Sequence, residues 1–138
     1  FKKPFLIGAH ISEGTNLPSG EKLSDIKKII ENKNLLGLIL ACVSPENFRG
    51  NLNEIKQIGC PFGFKINAFE TTKISGGYTK NYKNSKTGNP NEFLGQRKDL
   101  TPVKVAEFAK YFKDQGATIL GGCCETTPDH IKKMSELI

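Results

Sequence analysis

Four short apolar runs punctuate the chain: Phe5 to Ala9, Leu36 to Cys42, Phe62 to Ile66 and Ala117 to Gly122. They are apolar at nearly every position, which suits strands buried on both faces, as in parallel sheets. Helical spacing fills the gaps. Leu23, Ile26 and Ile30 share one face of a helix predicted from about Glu21, and Phe48, Leu52 and Ile55 share another. Val105, Phe108, Ala109 and Phe112 form the fullest stripe, and Ile131, Met134 and Ile138 a last one. Ser44-Pro45, Thr101-Pro102 and Thr127-Pro128 each put a hydroxyl at the N-cap and proline at the first helical position. Gly116 sits where a C-terminal capping glycine belongs. The predicted order is four βα units, whose crossovers make a parallel sheet. Residues 73–100, rich in Lys, Asn and Gly and without periodicity, read as a long flexible loop, either lid or disordered insertion, on the face of the other βα loops. No internal repeat is visible beyond the βα alternation.

Composition narrows this picture. With 138 residues there is room for one domain at most. Hydrophobic residues at 37% and charged residues at 25% describe an ordinary globular chain. The longest apolar run, Leu35 to Val43, is interrupted by Gly37 and falls far short of the roughly 20 residues that span a bilayer. The N-terminus has neither a signal-peptide stretch nor an initiator Met, so the chain is expected to be cut from something longer. The net charge of +6 rests on scattered lysines, with Arg49 and Arg97 the only arginines. No basic block occurs, and arginine, the usual reader of bases and phosphates, is nearly absent, so neither nucleic acid nor membrane is an expected partner.

The cysteines carry the candidate chemistry. Cys123 and Cys124 are adjacent, where a mutual disulfide is badly strained, and nothing points to secretion, so reduced thiols and a cytoplasmic location are expected. Cys42 ends the second strand just before the Ser44 cap; Cys123 and Cys124 follow the fourth, just before the Thr127 cap. A parallel sheet places both groups on the face where α/β folds build their sites. Helix N-termini there would favour thiolates, and three thiolates converging on one point suit zinc with a fourth position open. Gly121 and Gly122 would let backbone approach whatever binds. The alternative for each cysteine is a small buried hydrophobe, and Cys60, before Pro61 at the opposite end of the sheet, is assigned to it.

Gly-Gly-Cys-Cys-Glu-Thr-Thr-Pro-Asp-His-Ile (121–131) closely resembles the C-terminal signature of the zinc-dependent homocysteine S-methyltransferases. That family takes in betaine–homocysteine and S-methylmethionine enzymes and the homocysteine domain of methionine synthase. Ala-Cys-Val-Ser-Pro-Glu (41–46) resembles the upstream cysteine motif, with Ala41 where Asn is usual. Asn67-Ala68 is similar to the turn after the seventh strand, with Phe69 in place of Gly, and Leu17 to Gly20 resembles a further family loop. The resemblance covers nearly the whole chain. It implies the C-terminal half, the last four βα units, of a (β/α)8 TIM barrel, which when complete needs about 250 residues.

The resemblance further implies Cys42, Cys123 and Cys124 as zinc ligands, and transfer of a methyl group to the thiol of homocysteine, giving methionine, with the zinc-bound thiolate as nucleophile. Asn67 and Gly122 would contact substrate. The family's acidic and amino-acid-binding residues of the first strands lie outside this chain, so the N-terminal half of the barrel is an expected partner, and a homo-oligomer is compatible with the sequence. The methyl donor is not readable from these residues. A zinc-binding half barrel that is inert alone, and a thiol redox protein using Cys123 and Cys124, are the competing readings. Among other polar residues, His10 and Glu13 follow the first strand, Glu125 follows the cysteine pair, His130 sits in the first turn of the last helix, where capping or solvent exposure would explain it, and Arg97 and Asp99 would anchor the long loop.

Overall fold

In the computed structural model, residues 3–11, 14–30, 34–71 and 91–137 are described. Glu13, Ile138 and residues 73–90 of the expected loop lie outside them. The elements run β1 (Phe5–Ala9), a 3-10 helix (Leu23–Ile29), β2 (Leu35–Val43), α1 (Pro45–Gly50), α2 (Leu52–Ile58), β3 (Phe62–Ile66), a 3-10 turn (Glu92–Leu94), α3 (Pro102–Asp114), β4 (Ile119–Gly122) and α4 (Pro128–Glu136). All four strands are parallel neighbours in one sheet, in the order β1-β2-β3-β4. Sequential order with a helix at each crossover is half of an α/β barrel, as expected. Among the described residues no helix is long and apolar enough to cross a membrane.

Strand alternation divides the sheet into two faces. Leu38, Leu40, Phe62, Phe64 and Ile66 point at the helices and are buried. Phe48 of α1, Phe64 of β3 and Phe112 of α3, all with no exposed surface, meet edge to face with ring centroids 4.7–5.4 Å apart. The other face turns away from the helices and carries Leu6, Gly8, Ile39, Ala41, Lys65 and Gly121. Leu6, 45% exposed, lies open on it together with Gly8 and Lys65.

Two expected helices take different forms. The one from Glu21 is a 3-10 helix, opened by the Lys22 N–H donating to the Asp25 carboxylate. The stripe Phe48, Leu52, Ile55 falls on two short helices that break at Asn51. The Asn51 side chain is fully buried and donates to the carbonyls of Asn47 and Gly14, so the break fastens the loop after β1 to the helix layer. The caps form as expected at Ser44 and Thr101, whose hydroxyls accept the N–H groups of Asn47 and Lys104. Gly116, at φ +100°, follows α3 in a conformation that a side chain disfavours.

The far end of the 73–100 segment is packed, not loose. Leu94 and Leu100 are buried, and the Arg97 N–H donates to the Ala68 carbonyl.

Candidate metal centre

The second strand contains the device that builds the site. Leu38 and Leu40 face the helices, so alternation would send Cys42 the same way. Instead, Lys65 pairs with Ala41 and Ile66 with Val43, leaving Cys42 as the extra residue of a β-bulge. Cys42 has φ +56°, left-handed backbone that a non-glycine residue adopts at a cost of about 1–2 kcal/mol. Val43 then resumes the buried, helix-facing phase. The bulge turns the Cys42 thiol out of the helix layer toward Cys124, a typical use of such irregularities.

Neighbours hold the bulge on both sides. His10 Nδ1 lies 3.2 Å from the Ala41 carbonyl, which can only accept, so this nitrogen carries the proton. Asn67, fully buried, donates from Nδ2 to the Cys42 carbonyl and accepts the Phe69 N–H on Oδ1. The same Nδ2 lies 3.7 Å from Cys42 Sγ. These two backbone-determined bonds fix which way the amide points.

The segment that follows β3 laces the site together. The Asn67 N–H donates to the Val43 carbonyl, the Cys123 N–H to Ile66, and the Ala68 N–H to Cys124. Cys123 to Thr126 form a turn closed by the Thr126 N–H and hydroxyl on the Cys123 carbonyl. Glu125, third in that turn, has φ +62°, where glycine is the usual residue. A side chain on Gly122 would collide with the Thr126 hydroxyl and crowd Ile131, so internal packing accounts for that glycine.

The outcome is a convergence of three sulfurs. Cys42 Sγ and Cys124 Sγ are 3.8 Å apart, Cys123 Sγ and Cys124 Sγ 3.9 Å, and all three lie within 4.8 Å of one another. Thiolates around a tetrahedral zinc at about 2.3 Å stand about 3.8 Å apart. The spacing and the soft donor set therefore fit zinc, and no fourth His, Cys, Asp or Glu joins the cluster among the described residues. Three protein ligands with an open position is the pattern of catalytic rather than structural zinc sites.

In metal-free form the Cys42 and Cys124 thiols resist ionisation. Burial pushes the Cys42 thiol from its ordinary 9.0 up to about 12, reinforced by the Cys123 and Cys124 thiols. Cys124 is raised too, by burial first and then by Cys123. Burial and the neighbouring sulfurs set the direction at Cys42 and Cys124, against the thiolates that the sequence suggested, and a dication would have to reverse both.

Other expected residues fall outside the cluster. Cys60 is unpaired with another cysteine and packs against the hydrophobic core at the opposite end of the sheet. His130 is buried, its Nδ1 accepting the Thr127 N–H and its Nε2 facing the Leu100 carbonyl at 2.9 Å, so it is a neutral cap that ties α4 to the segment before α3. Arg97 makes two bonds to the Glu46 carboxylate, at 2.8 and 2.9 Å, and two to Asp99. Glu46, which the sequence offered only as the end of the 41–46 motif and with no role of its own, lies in the first turn of α1, four residues beyond Cys42. Its signal was only an acidic residue after a cap. Arg97 holds the carboxyls of both Glu46 and Asp99 below their ordinary range. It thereby clamps the segment before α3 onto α1, just beyond the strand end that bears Cys42.

Four parallel strands whose C-terminal ends gather three thiols define a half α/β barrel with a candidate metal centre. The homocysteine S-methyltransferase family profile matches residues 1–138, and the chain belongs to that family. Homocysteine S-methyltransferase 1 of Zea mays is 26% identical over 131 residues, covering 91% of this chain and 35% of the maize protein. Homocysteine S-methyltransferase 3 of Arabidopsis thaliana is 21% identical over 128 residues, covering 91% of this chain and 33% of that protein. The chain thus spans about a third of the length of these relatives.

Proposed function

We propose that Cys42, Cys123 and Cys124 hold zinc and that the protein to which this domain contributes transfers a methyl group to the thiol of homocysteine, giving methionine. The observation that carries this reading is the three-sulfur cluster, two of whose pairs stand at tetrahedral spacing, joined by no fourth His, Cys, Asp or Glu among the described residues. Zinc there would supply the Lewis acidity that keeps homocysteine sulfur a thiolate at neutral pH.

The chain's own residues do the arranging. The bulge aims Cys42, Asn67 fixes the carbonyl and sulfur of that residue, and the backbone of 66–68 sets Cys123 and Cys124 against it. We assign Asn67 to the ligand Cys42 and Gly122 to the tight turn, ahead of direct substrate contact. The thiol cluster suits a reducing compartment such as the cytoplasm.

The test is zinc content together with homocysteine binding. Purified under reducing conditions, the protein should carry about one zinc per chain. With cobalt in place of zinc, homocysteine should shift the visible absorption of the site. A metal-loaded full-length protein whose spectrum ignores homocysteine would rule the reading out.

A second reading has its own support. Leu6, Gly8 and Lys65 lie exposed on the face away from the helices, and β1 and β4 are the edges of the sheet among the described residues, which favours zinc binding by this half only as part of a larger barrel. Methyl transfer by the full-length protein, with none by residues 1–138 alone, would establish that division of labour.

A further inference from the structure

We infer that Arg97 is a positioning residue of the metal centre, one that holds the arm bearing Cys42 and the arm bearing Cys124 at a fixed spacing; the inference rests on the zinc reading above and adds a residue outside the thiol cluster to it. The backbone and side chain of Arg97 bond to different arms. Its N–H donates to the Ala68 carbonyl at 2.9 Å, and the N–H of the same Ala68 donates to the Cys124 carbonyl at 3.0 Å. The guanidinium reaches the other way. It puts two N–H groups on the two carboxylate oxygens of Glu46, in the first turn of α1. That turn opens at the Ser44 cap, two residues beyond Cys42.

Three observations make this a brace rather than a surface ion pair. The segment that carries Arg97 meets each arm of the site. The Thr71 N–H donates to the Leu94 carbonyl, a second backbone bond to the stretch after β3. The Leu100 carbonyl lies 2.9 Å from His130 Nε2 in the first turn of α4, just past Cys123 and Cys124. Next, Leu94 and Leu100 are buried, so the segment is anchored on both sides of Arg97. Last, Cys42 occupies left-handed backbone at φ +56°, a conformation that persists only when its surroundings hold it. A fork of two parallel N–H···O bonds fixes direction as well as distance. Sliding of α1 against the 66–68 stretch is therefore resisted at Arg97. Such sliding would change the Cys42–Cys124 sulfur separation, which stands at 3.8 Å.

The molecule supplies its own control. The same guanidinium binds Asp99, two residues further along its own segment. The Glu46 and Asp99 side chains are comparably exposed, at 55% and 65%, so neutralising either one perturbs the charge balance alike. Only Glu46 ties one segment to another. In the full-length protein, Glu46→Gln is expected to weaken zinc about 10-fold in competition with a chromophoric chelator, and Asp99→Asn to leave it within about twofold. Arg97→Met should lose at least as much as Glu46→Gln, and the double variant no more than Arg97→Met alone, because both remove one tie. Arg97→Lys keeps the charge without the fork and should stay closer to Arg97→Met than to wild type. With cobalt in the site, Glu46→Gln should weaken the thiolate-to-cobalt absorption, a change that lower global stability does not produce in the folded protein. Equal losses from Glu46→Gln and Asp99→Asn, or none from either, would overturn the assignment while leaving the zinc reading intact. Should Arg97→Met fold poorly, the comparison of Glu46→Gln with Asp99→Asn decides alone. If the wild-type full-length protein takes up no zinc, the parent reading falls and this one with it.

Discussion

Replacing Asn67 by alanine separates holding the fold from holding the metal. The side chain is fully buried and satisfies two backbone groups, the Cys42 carbonyl and the Phe69 N–H. Its removal leaves both without their partner in a site where water has poor access. Each such orphan costs about 1–3 kcal/mol, so a loss of about 2–6 kcal/mol is expected in urea denaturation. The bulge also loses the bond that holds Cys42 in its left-handed conformation. Zinc affinity should then fall about 10- to 100-fold, the usual consequence of removing a group that orients a metal ligand. Competition against a chromophoric chelator reads this directly. Asn51→Ala is the control: it too removes a fully buried amide, but one bonded to Gly14 and Asn47 rather than to the thiol segments. It should cost stability and leave zinc affinity alone. If Asn67→Ala behaves the same way, with affinity within twofold of wild type, Asn67 does not position Cys42.

Four other outcomes follow from the same geometry. Serine at Cys42, Cys123 or Cys124 should reduce zinc per chain well below one by atomic emission, whereas Cys60→Ser should retain it. Metal-free protein should lose stability as pH rises from 9 toward 12, because the folded Cys42 thiol sits above its ordinary 9.0 and favours the protonated form; iodoacetamide at pH 8 should label it more slowly than an unfolded thiol. Arg97→Met should lower the melting temperature at pH 7. The difference should fade as pH falls below the ordinary 4.5 and 3.8 of Glu46 and Asp99, since carboxyls held low stabilise the fold only while ionised. Glu125→Gly should raise the urea midpoint by up to about 1 kcal/mol of stability by relieving its left-handed backbone.

The strands were legible because fully buried parallel strands are apolar without alternation: Phe5–Ala9 and Phe62–Ile66 match their predicted limits. The caps at Ser44 and Thr101 were legible because a hydroxyl followed by proline has a local cause; at Thr127 the hydroxyl meets His130 Nδ1 instead. The split at Asn51 was not, because its reason is a distant carbonyl on Gly14. At the site, the sequence showed which cysteines end strands on one face. It did not show the bulge, since nothing local marks Cys42 as the residue left out of register, and simple alternation would have buried its thiol in the helix layer. The clamp from Arg97 to Glu46 joins residues 51 apart and left no pattern to read. The direction of the thiol shifts depends on burial and on neighbouring sulfurs that only the assembled sheet brings near.

Cys42 and Cys124 are separated by 82 residues along the chain. In an unfolded chain, a metal caught by the adjacent pair Cys123–Cys124 would have to close that loop to gain its third sulfur. The length-dependent part of that closure is about 4 kcal/mol. The folded sheet has already met it through the packing of β2, β3 and β4. The complete three-sulfur site is therefore a late product of folding, assembled only after strands distant in sequence have found their register. Followed in time, metal uptake by all three thiols would serve as a clock for that step, trailing the formation of the helices and registering the moment at which β2 and β4 come to flank β3.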